Sequence, residues 1–307
     1  MCQRFDTTSL PGWDGVDRVT PLLLRVSDNE IWLRGGHCWL RAMLSQWSGE
    51  ERLHANVLTP VLISGKQGLS KSTFCRLLMP DSLRHYFVDN LNLAAGSSPE
   101  KKLVKNGLIN LDEFDKIKES QQATLKNLLQ MVNVPVFRGK RLGWVNESRL
   151  ASFIATTNVY QVLIDSTGSR RFLCVEVLKP ISEEPLEHKQ IYAQLKEELK
   201  SGAPDYLNKE EEKALQKHNK AYYRQSLLED VFHCCFRHPL ETEKGIWLTT
   251  AEIFQVMRKF NSAALKEVSA RQLGLKLSAM GYMAKHTSFG NRYYVFNLLA
   301  EKKEVSL

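Results

Sequence analysis

Apolar residues in this chain recur in two rhythms, and glycines and prolines mark where the rhythm changes. After an irregular stretch to about residue 28, helical spacing from Ile31 to Trp47, including Trp39, Leu40, Met43 and Leu44, predicts a lid helix. Val57 to Ser64 is a short β-rich apolar run that predicts a buried strand with Pro60 near its start, broken by Gly65. Ser72 to Met79 predicts a helix stopped by Pro80, giving strand, glycine loop and helix in order. Further strands are expected at Leu108 to Asp115, Leu150 to Asn158 and Phe172 to Val177, with a helix from Lys118 to Met131 for which Asp115 is a suitable N-cap. From Lys189 to about Tyr223 the chain is helical and charge-rich, which predicts a connector. Beyond Glu241, Leu248-Thr249-Thr250 caps a helix through Phe260, Ser269 begins another that ends at Gly281, and Tyr282 to Phe296 predicts a hairpin with Ser288-Phe289-Gly290-Asn291 at its tip.

A chain of 307 residues exceeds one compact core and divides into about two domains. Its 43% hydrophobic and 25% charged content is that of a soluble globular protein. No window approaches the roughly 20 apolar residues that span a bilayer, and the opening MCQRFDTTSLPGWDG lacks an apolar h-region, so a cytoplasmic protein without membrane contact is expected. The six cysteines form no CxxC pair, in keeping with reduced thiols. His233-Cys234-Cys235-Phe236-Arg237-His238 crowds metal-ligand types together, but Leu227, Leu228, Val231, Phe232 and Cys235 share helical spacing, and core cysteines on a buried face are the simpler reading. The formal charge of +8 favours a polyanionic partner without specifying one.

Four short segments, and beside them one basic loop, carry the chemistry. Gly65-Lys66-Gln67-Gly68-Leu69-Ser70-Lys71-Ser72 matches the phosphate-binding P-loop at its first glycine, its lysine and its hydroxyl residue, with Thr73 opening the helix; Ser70 stands where the pattern has its second glycine. Such a loop presents backbone N–H groups and a helix N-terminus to phosphates, with Lys71 at the β/γ oxygens and Ser72 on Mg²⁺. In Leu108-Ile109-Asn110-Leu111-Asp112-Glu113 the strand ends in two carboxylates: Asp112 suits Mg²⁺ and Glu113 suits an attacking water. Asn158 closes a third strand where a γ-phosphate sensor lies in ATPases with an inserted strand, and as a bland reading it caps the next turn. Arg170 and Arg171 follow a glycine turn and suit an arginine finger, which in ring-forming ATPases comes from the neighbouring subunit; alternatively one anchors the turn through Asp165 or Glu176. Phe137 to Trp144, with Arg138, Lys140 and Arg141, is a basic and aromatic loop that suits a strand of DNA, or is a hairpin with a solvated basic edge, or approaches ATP.

These segments in this order, with Trp13-Asp14-Gly15 near the start, resemble the virulence-associated E family, relatives of superfamily 3 helicases and poxvirus-type primase-helicases. The phrases KQGLSKSTF, LDEFD, ATTN and TGSRRF carry the resemblance from about residue 10 to 220, into the acidic stretch around Asp205-Tyr206-Leu207 and Glu210-Glu211-Glu212. The resemblance implies an AAA+-like, superfamily 3 helicase-like P-loop NTPase core encoded by bacterial mobile elements and acting on nucleic acid. Longer relatives carry a primase-like or accessory domain before this core, so the chain is expected to be the motor part. Its C-terminal part resembles the accessory domain that follows such cores in Bacteroides-type chains, with a winged-helix look and a basic face from Arg271, Lys276, Lys285 and Arg292.

The expected architecture is therefore an α/β P-loop NTPase core with a small α+β winged-helix-like domain: 1–50 a helical lid segment, 51–180 the ATPase core, 181–240 a helical lid and connector, and 241–307 the winged-helix-like domain. The expected function is ATP hydrolysis with Mg²⁺ by a DNA-dependent ATPase or helicase, as a homo-oligomer or ring. Gly65, Gln67, Gly68, Ser70, Lys71, Ser72 and Thr73 would hold nucleotide. Three rivals stand beside it: a Ser70-impaired binder without turnover, a small-molecule kinase, which the Asp112-Glu113 pair and Asn158 fit less well than a water nucleophile, and a poorly soluble remnant of a longer gene.

Overall fold

Short runs of Val, Ile, Leu and Phe with no charge inside them bury both faces of a strand, and such strands pair in parallel between helical layers. The computed structural model, which describes residues 9–48, 54–94, 97–164, 166–224, 227–240, 242–266, 268–287 and 290–299, arranges them so. In chain order the first part has α1 (Val19–Leu24), α2 (Glu30–Ser48), β1 (Thr59–Ile63), α3 (Lys71–Leu77), β2 (Phe87–Asp89), α4 (Glu100–Leu103), β3 (Leu108–Leu111), α5 (Glu119–Gln130), β4 (Asn133–Phe137), β5 (Trp144–Ser148), β6 (Ser152–Thr157), β7 (Phe172–Glu176), α6 (His188–Lys200) and α7 (Lys209–Asn219). The second has α8 (Leu227–Cys235), β8 (Phe236–Arg237), β9 (Ile246–Thr249), α9 (Thr250–Phe260), α10 (Ala270–Ala279), β10 (Ala284–Thr287) and β11 (Gly290–Asn297). The two compact units are Met1–Tyr223 and Arg224–Leu307.

The first unit is built on a five-stranded sheet in the order β2-β3-β6-β1-β7, with every pairing parallel. Alternate strand residues enter opposite layers, as the two-residue period of a strand requires. Leu62, Ile154, Leu173 and Val175 pack against Trp39, Met43 and Leu44 of α2 and Tyr192 and Leu195 of α6. Val61, Ile63, Phe153 and Ala155 pack on the other side with Leu125, Leu128 and Leu129 of α5. The helix expected as a lid is thus a structural layer, because Trp32, Trp39 and Met43 are almost wholly buried. Its close approach needs Gly35, where an added Cβ would stand 2.8 Å from Leu173 Cδ2. Pro60 fits inside β1 because pairing with β6 begins only at Val61, although β7 already runs alongside from Thr59.

Asp115 does not cap α5: it lies in a 3₁₀ turn, Phe114–Lys116, and the N-cap is Lys118, whose backbone N–H donates to Gln121 Oε1 at 3.0 Å. The expected border near residue 240 also moves. Val231, Phe232 and Cys235 of α8 belong to the core of the second unit, with Ile253, Met257, Leu273, Leu277, Tyr293 and Val295. That unit pairs β11 antiparallel with β8, β9 and β10. Thr249 and Ser269 are the N-caps of α9 and α10, each bonded to the third residue of its helix, Glu252 and Gln272. Gly281 takes φ +79° after α10. Residues 288 and 289 of the hairpin tip, and Asp165, lie outside the described residues. Cys235 is buried and Cys234 exposed, and no metal-binding group of His, Cys, Asp and Glu occurs among the described residues.

Candidate functional site

All strands of a parallel sheet end on one edge, and ligands of such sheets bind there. Residues 64–70 leave the end of β1, Asp112 and Glu113 the end of β3, and Asn158 the end of β6, which lies between the other two. Together they line a cavity of about 380 Å³ with Gln67, Gly68, Leu69, Ser70, Lys71, Ser72, Thr73, Asp115, Thr156, Thr157 and Val159. Lys71 and Asn158, 87 positions apart in sequence, therefore meet in one place.

The polar groups of the cavity are wired to one another. Lys71 Nζ donates to Asn158 Oδ1 at 2.8 Å and to Ser64 Oγ. Ser64 Oγ in turn donates to the Lys66 carbonyl at 2.6 Å, tying the lysine to its own loop. Burial lowers the Lys71 pKa below its usual value, against the opposing field of Asp112. Asp112 Oδ1 accepts from Ser72 Oγ at 3.2 Å and from the Thr156 hydroxyl. Thr157 Oγ1 donates to Asp115 Oδ1 at 2.6 Å. Glu113 pairs with Lys116 at 2.6 Å, near the mouth. A Cβ at Gly65 would stand 3.0 Å from the ring of Tyr160, whose hydroxyl donates to Glu176 at 2.7 Å.

Backbone strain gathers here. Among the described residues three non-glycine residues have positive φ, and two of them, Ser70 at 59° and Glu113 at 52°, line the cavity; Gly68 has φ +77°. A non-glycine residue in the left-handed region costs free energy that the surroundings must repay, and such residues cluster at functional sites. Ser70 thus adopts the conformation that a glycine would take without strain.

Lys71, Ser72, Asp112, Glu113 and Asn158 share this cavity, while Arg170 and Arg171 are not among its lining residues. Arg170 Nη1 lies 3.4 Å from Glu212, a partner other than the Asp165 or Glu176 considered from sequence, and Glu176 receives Tyr160 instead. Sequence reasoning missed Ser64, Asp115, Thr156 and Thr157. Two consecutive threonines ending an otherwise apolar buried strand were the available signal.

The basic loop becomes the tip of the β4–β5 hairpin. Arg138 forms a two-point ion pair with Glu147, while Lys140, Arg141, Leu142 and Trp144 are exposed, Trp144 at 72%. Phe137 and Trp144 rings lie 5.6 Å apart. In the second unit the expected single basic face is divided. Lys276 Nζ bonds Glu229 at 2.8 Å and Arg271 is exposed on the same helix, α10, whereas Lys285 and Arg292 face each other across β10 and β11. The division follows from the pleat: Tyr293 and Val295 face the helices, so Arg292 and Tyr294 face away.

A larger cavity of about 570 Å³ lies between residues 9–10, 80–82 and 186–192; two of its lining residues bond backbone, His188 the Leu77 carbonyl and Tyr192 the Leu78 carbonyl. Among the described residues no helix is long and apolar enough to cross a membrane.

Comparison with known proteins agrees with two parts. A family described as a domain of unknown function from B. Theta (DUF3874) matches residues 225–295. No curated protein matches the chain. Two solved apo structures, A form, of the NrS-1 C terminal region are similar to it. One has 14% identity and a TM-score of 0.44, covering 91% of this chain and 74% of that one. The other has 13% identity and a TM-score of 0.42, covering 91% and 75%. The virulence-associated protein E-like domain matches residues 8–224, the whole span that holds the parallel sheet and its cavity, and the chain belongs to that family.

Proposed function

We propose that the first unit is a P-loop ATPase of helicase type that works on DNA with ATP and Mg²⁺. The observation that carries the reading is the meeting of Lys71, Ser72, Asp112 and Asn158 around one cavity at the strand ends. Its volume of about 380 Å³ is in the range of small-ligand sites, roughly 300–1,000 Å³. The donor set fits the proposed cofactor: the Ser72 hydroxyl and Asp112 carboxylate, already 3.2 Å apart, are hard oxygens of the kind Mg²⁺ takes, and Thr156 steadies the carboxylate. Bound Mg²⁺ would supply charge neutralisation to the phosphates.

Lys71 would give its ammonium to the β/γ oxygens, and Asn158, which now holds that ammonium, would pass to the γ-phosphate. Glu113 would orient the nucleophilic water on leaving Lys116. Gly65, Gln67, Gly68, Ser70 and Thr73 would shape the backbone cradle. Arg170 and Arg171, outside the cavity lining, suit a finger reaching a neighbouring subunit of a homo-oligomer, a ring in its full form. The exposed Lys140, Arg141 and Trp144 of the hairpin suit a single DNA strand, with Arg138 steadied by Glu147. The second unit we read as winged-helix-like, three helices against a sheet that ends in a hairpin.

ATP hydrolysis by the purified chain, with and without single-stranded DNA, tests this beside Lys71→Ala and Glu113→Gln. DNA-stimulated turnover lost in both variants is expected, and a wild type that neither binds nor hydrolyses ATP would overturn the reading. Ser70, strained at φ 59°, favours one alternative, a nucleotide- or DNA-binding protein without turnover. Turnover appearing only in Ser70→Gly would establish it.

A further inference from the structure

We infer that the outer face of the sheet in the second unit is a stacking platform for single-stranded nucleic acid, which would make the sheet, and not helix α10, the contact surface of this unit. The inference concerns a site apart from the nucleotide cavity and needs no nucleotide.

The argument begins with the pleat. On β11, Tyr293 and Val295 are buried against the helices, so Arg292, Tyr294 and Phe296 lie on the other face. Antiparallel register sets Lys285 and Thr249 beside Arg292, Trp247 beside Tyr294, and Arg237 beside Phe296. The result is a strip of three aromatic rings and three cations, of which Arg237 is held by Glu243 in a two-point ion pair. The Trp247 and Tyr294 rings are 5.1 Å apart. Lys285 Nζ lies 4.5 Å from the Trp247 ring centroid and Arg237 lies 4.1 Å from that of Phe296.

The face is partly polar and bears half-buried Trp247, Tyr294 and Phe296, and the cations beside them give it a positive charge. The nearby carboxylates are occupied: Glu243 is held by Arg237, and Glu252 by the N-cap Thr249. Lys285 is exposed and on a flexible stem, so a base can replace it over Trp247 while its ammonium moves to the adjoining phosphate. Arg292 Nε is buried and has no hydrogen-bond partner among the described residues, so a phosphate would meet this guanidinium through its other nitrogens. Rings that stack bases beside cations that meet phosphates suit a strand whose bases are unpaired, whereas a duplex keeps its bases stacked inside and offers no ring face along its length. By contrast α10 carries Arg271 and Lys276 but no aromatic side chain on which a base could stack, which weakens the single-strand reading for that helix.

The test uses the full chain without nucleotide and follows the anisotropy of a fluorescein-labelled dT oligomer and of a duplex of equal length. Trp247→Leu is expected to weaken single-strand binding about tenfold, with Trp247→Phe retaining most of it. Lys285→Gln is expected to flatten the plot of log affinity against log salt by about 0.7. Arg271→Gln should leave single-strand binding as in wild type. Trp247→Leu and Lys285→Gln both binding the oligomer like wild type would overturn the inference while leaving DNA as a partner of the hairpin in the first unit. A loss confined to the duplex, or to Arg271→Gln, would overturn it in favour of α10. Lys285 is exposed, so the salt slope of Lys285→Gln decides the matter even where Trp247→Leu unfolds, an unchanged slope overturning the inference.

Discussion

Lys71 Nζ donates to Asn158 Oδ1 at 2.8 Å, joining the first residue of α3 to the residue that follows β6. The link makes the lysine a buried cation held by neutral oxygens, with Asp112 the charge that favours it. Burial dominates, and the folded pKa lies below the usual 10.5.

From this follows a pH dependence of stability. Between the folded value and 10.5 the unfolded chain binds more protons at Lys71, so stability rises with pH across that interval; below it the cost of the buried ammonium is present in full. Lys71→Met is therefore expected to be more stable than wild type near pH 7, with the difference shrinking as pH passes through 10.5. Urea unfolding at several pH values checks this, and a wild type more stable than the variant at pH 7 would contradict it.

Ser70→Gly removes left-handed strain of roughly 1–2 kcal/mol but restores about 0.5–1 kcal/mol of unfolded-chain freedom. A net gain of at most about 1.5 kcal/mol is expected, and Ser70→Val should lose about 1–3 kcal/mol at the same φ. Chemical denaturation of the three proteins gives the comparison; equal stability of Val and Gly variants would mean that the positive φ is not needed.

Thr156→Val keeps a β-branched residue in a buried strand and removes one hydroxyl from Asp112. On the ATPase reading it should raise the Mg²⁺ concentration for half-maximal turnover about 10-fold or more, the scale of lost outer-shell support. A magnesium titration of turnover measures it, and an unchanged midpoint would remove Thr156 from the site.

Arg149, only 2% exposed, donates to the carbonyls of Leu129 at 2.7 Å, Leu128 at 3.1 Å, Ala151 at 2.6 Å and Asn56 at 3.1 Å. One guanidinium thus closes the C-terminal end of α5 and ties it to the strand entry of β6. A lysine cannot reach these acceptors together, and Arg149→Lys is expected to cost about 3 kcal/mol. Thermal or urea unfolding reads the loss, and a near-neutral effect would show that the carbonyls find other donors.

Much of the site was legible because its parts are local. A glycine loop between a strand and a helix, and carboxylates or an amide at strand ends, are visible as short strings, and Lys71, Ser72, Asp112, Glu113 and Asn158 do share one cavity. Thr156 and Thr157 were less legible because a hydroxyl's role depends on which carboxylate stands opposite. Arg170 was not, since its partner Glu212 lies on α7 and only packing brings them together.

By itself the sequence determined α2, β1, α3, β3, α5, β6 and β7 in that order, the N-caps at Thr249 and Ser269, and which polar residues stand at the strand ends, because periodicity, capping and motif spacing act within a few residues. The tertiary structure alone decided that α2 is a layer and not a lid, that α8 belongs with the second unit, and that β6 lies between β1 and β3 so that Asn158 meets Lys71. Those outcomes depend on which apolar faces cover one another and on which polar groups find partners once water is excluded, relations between distant segments that no local pattern encodes.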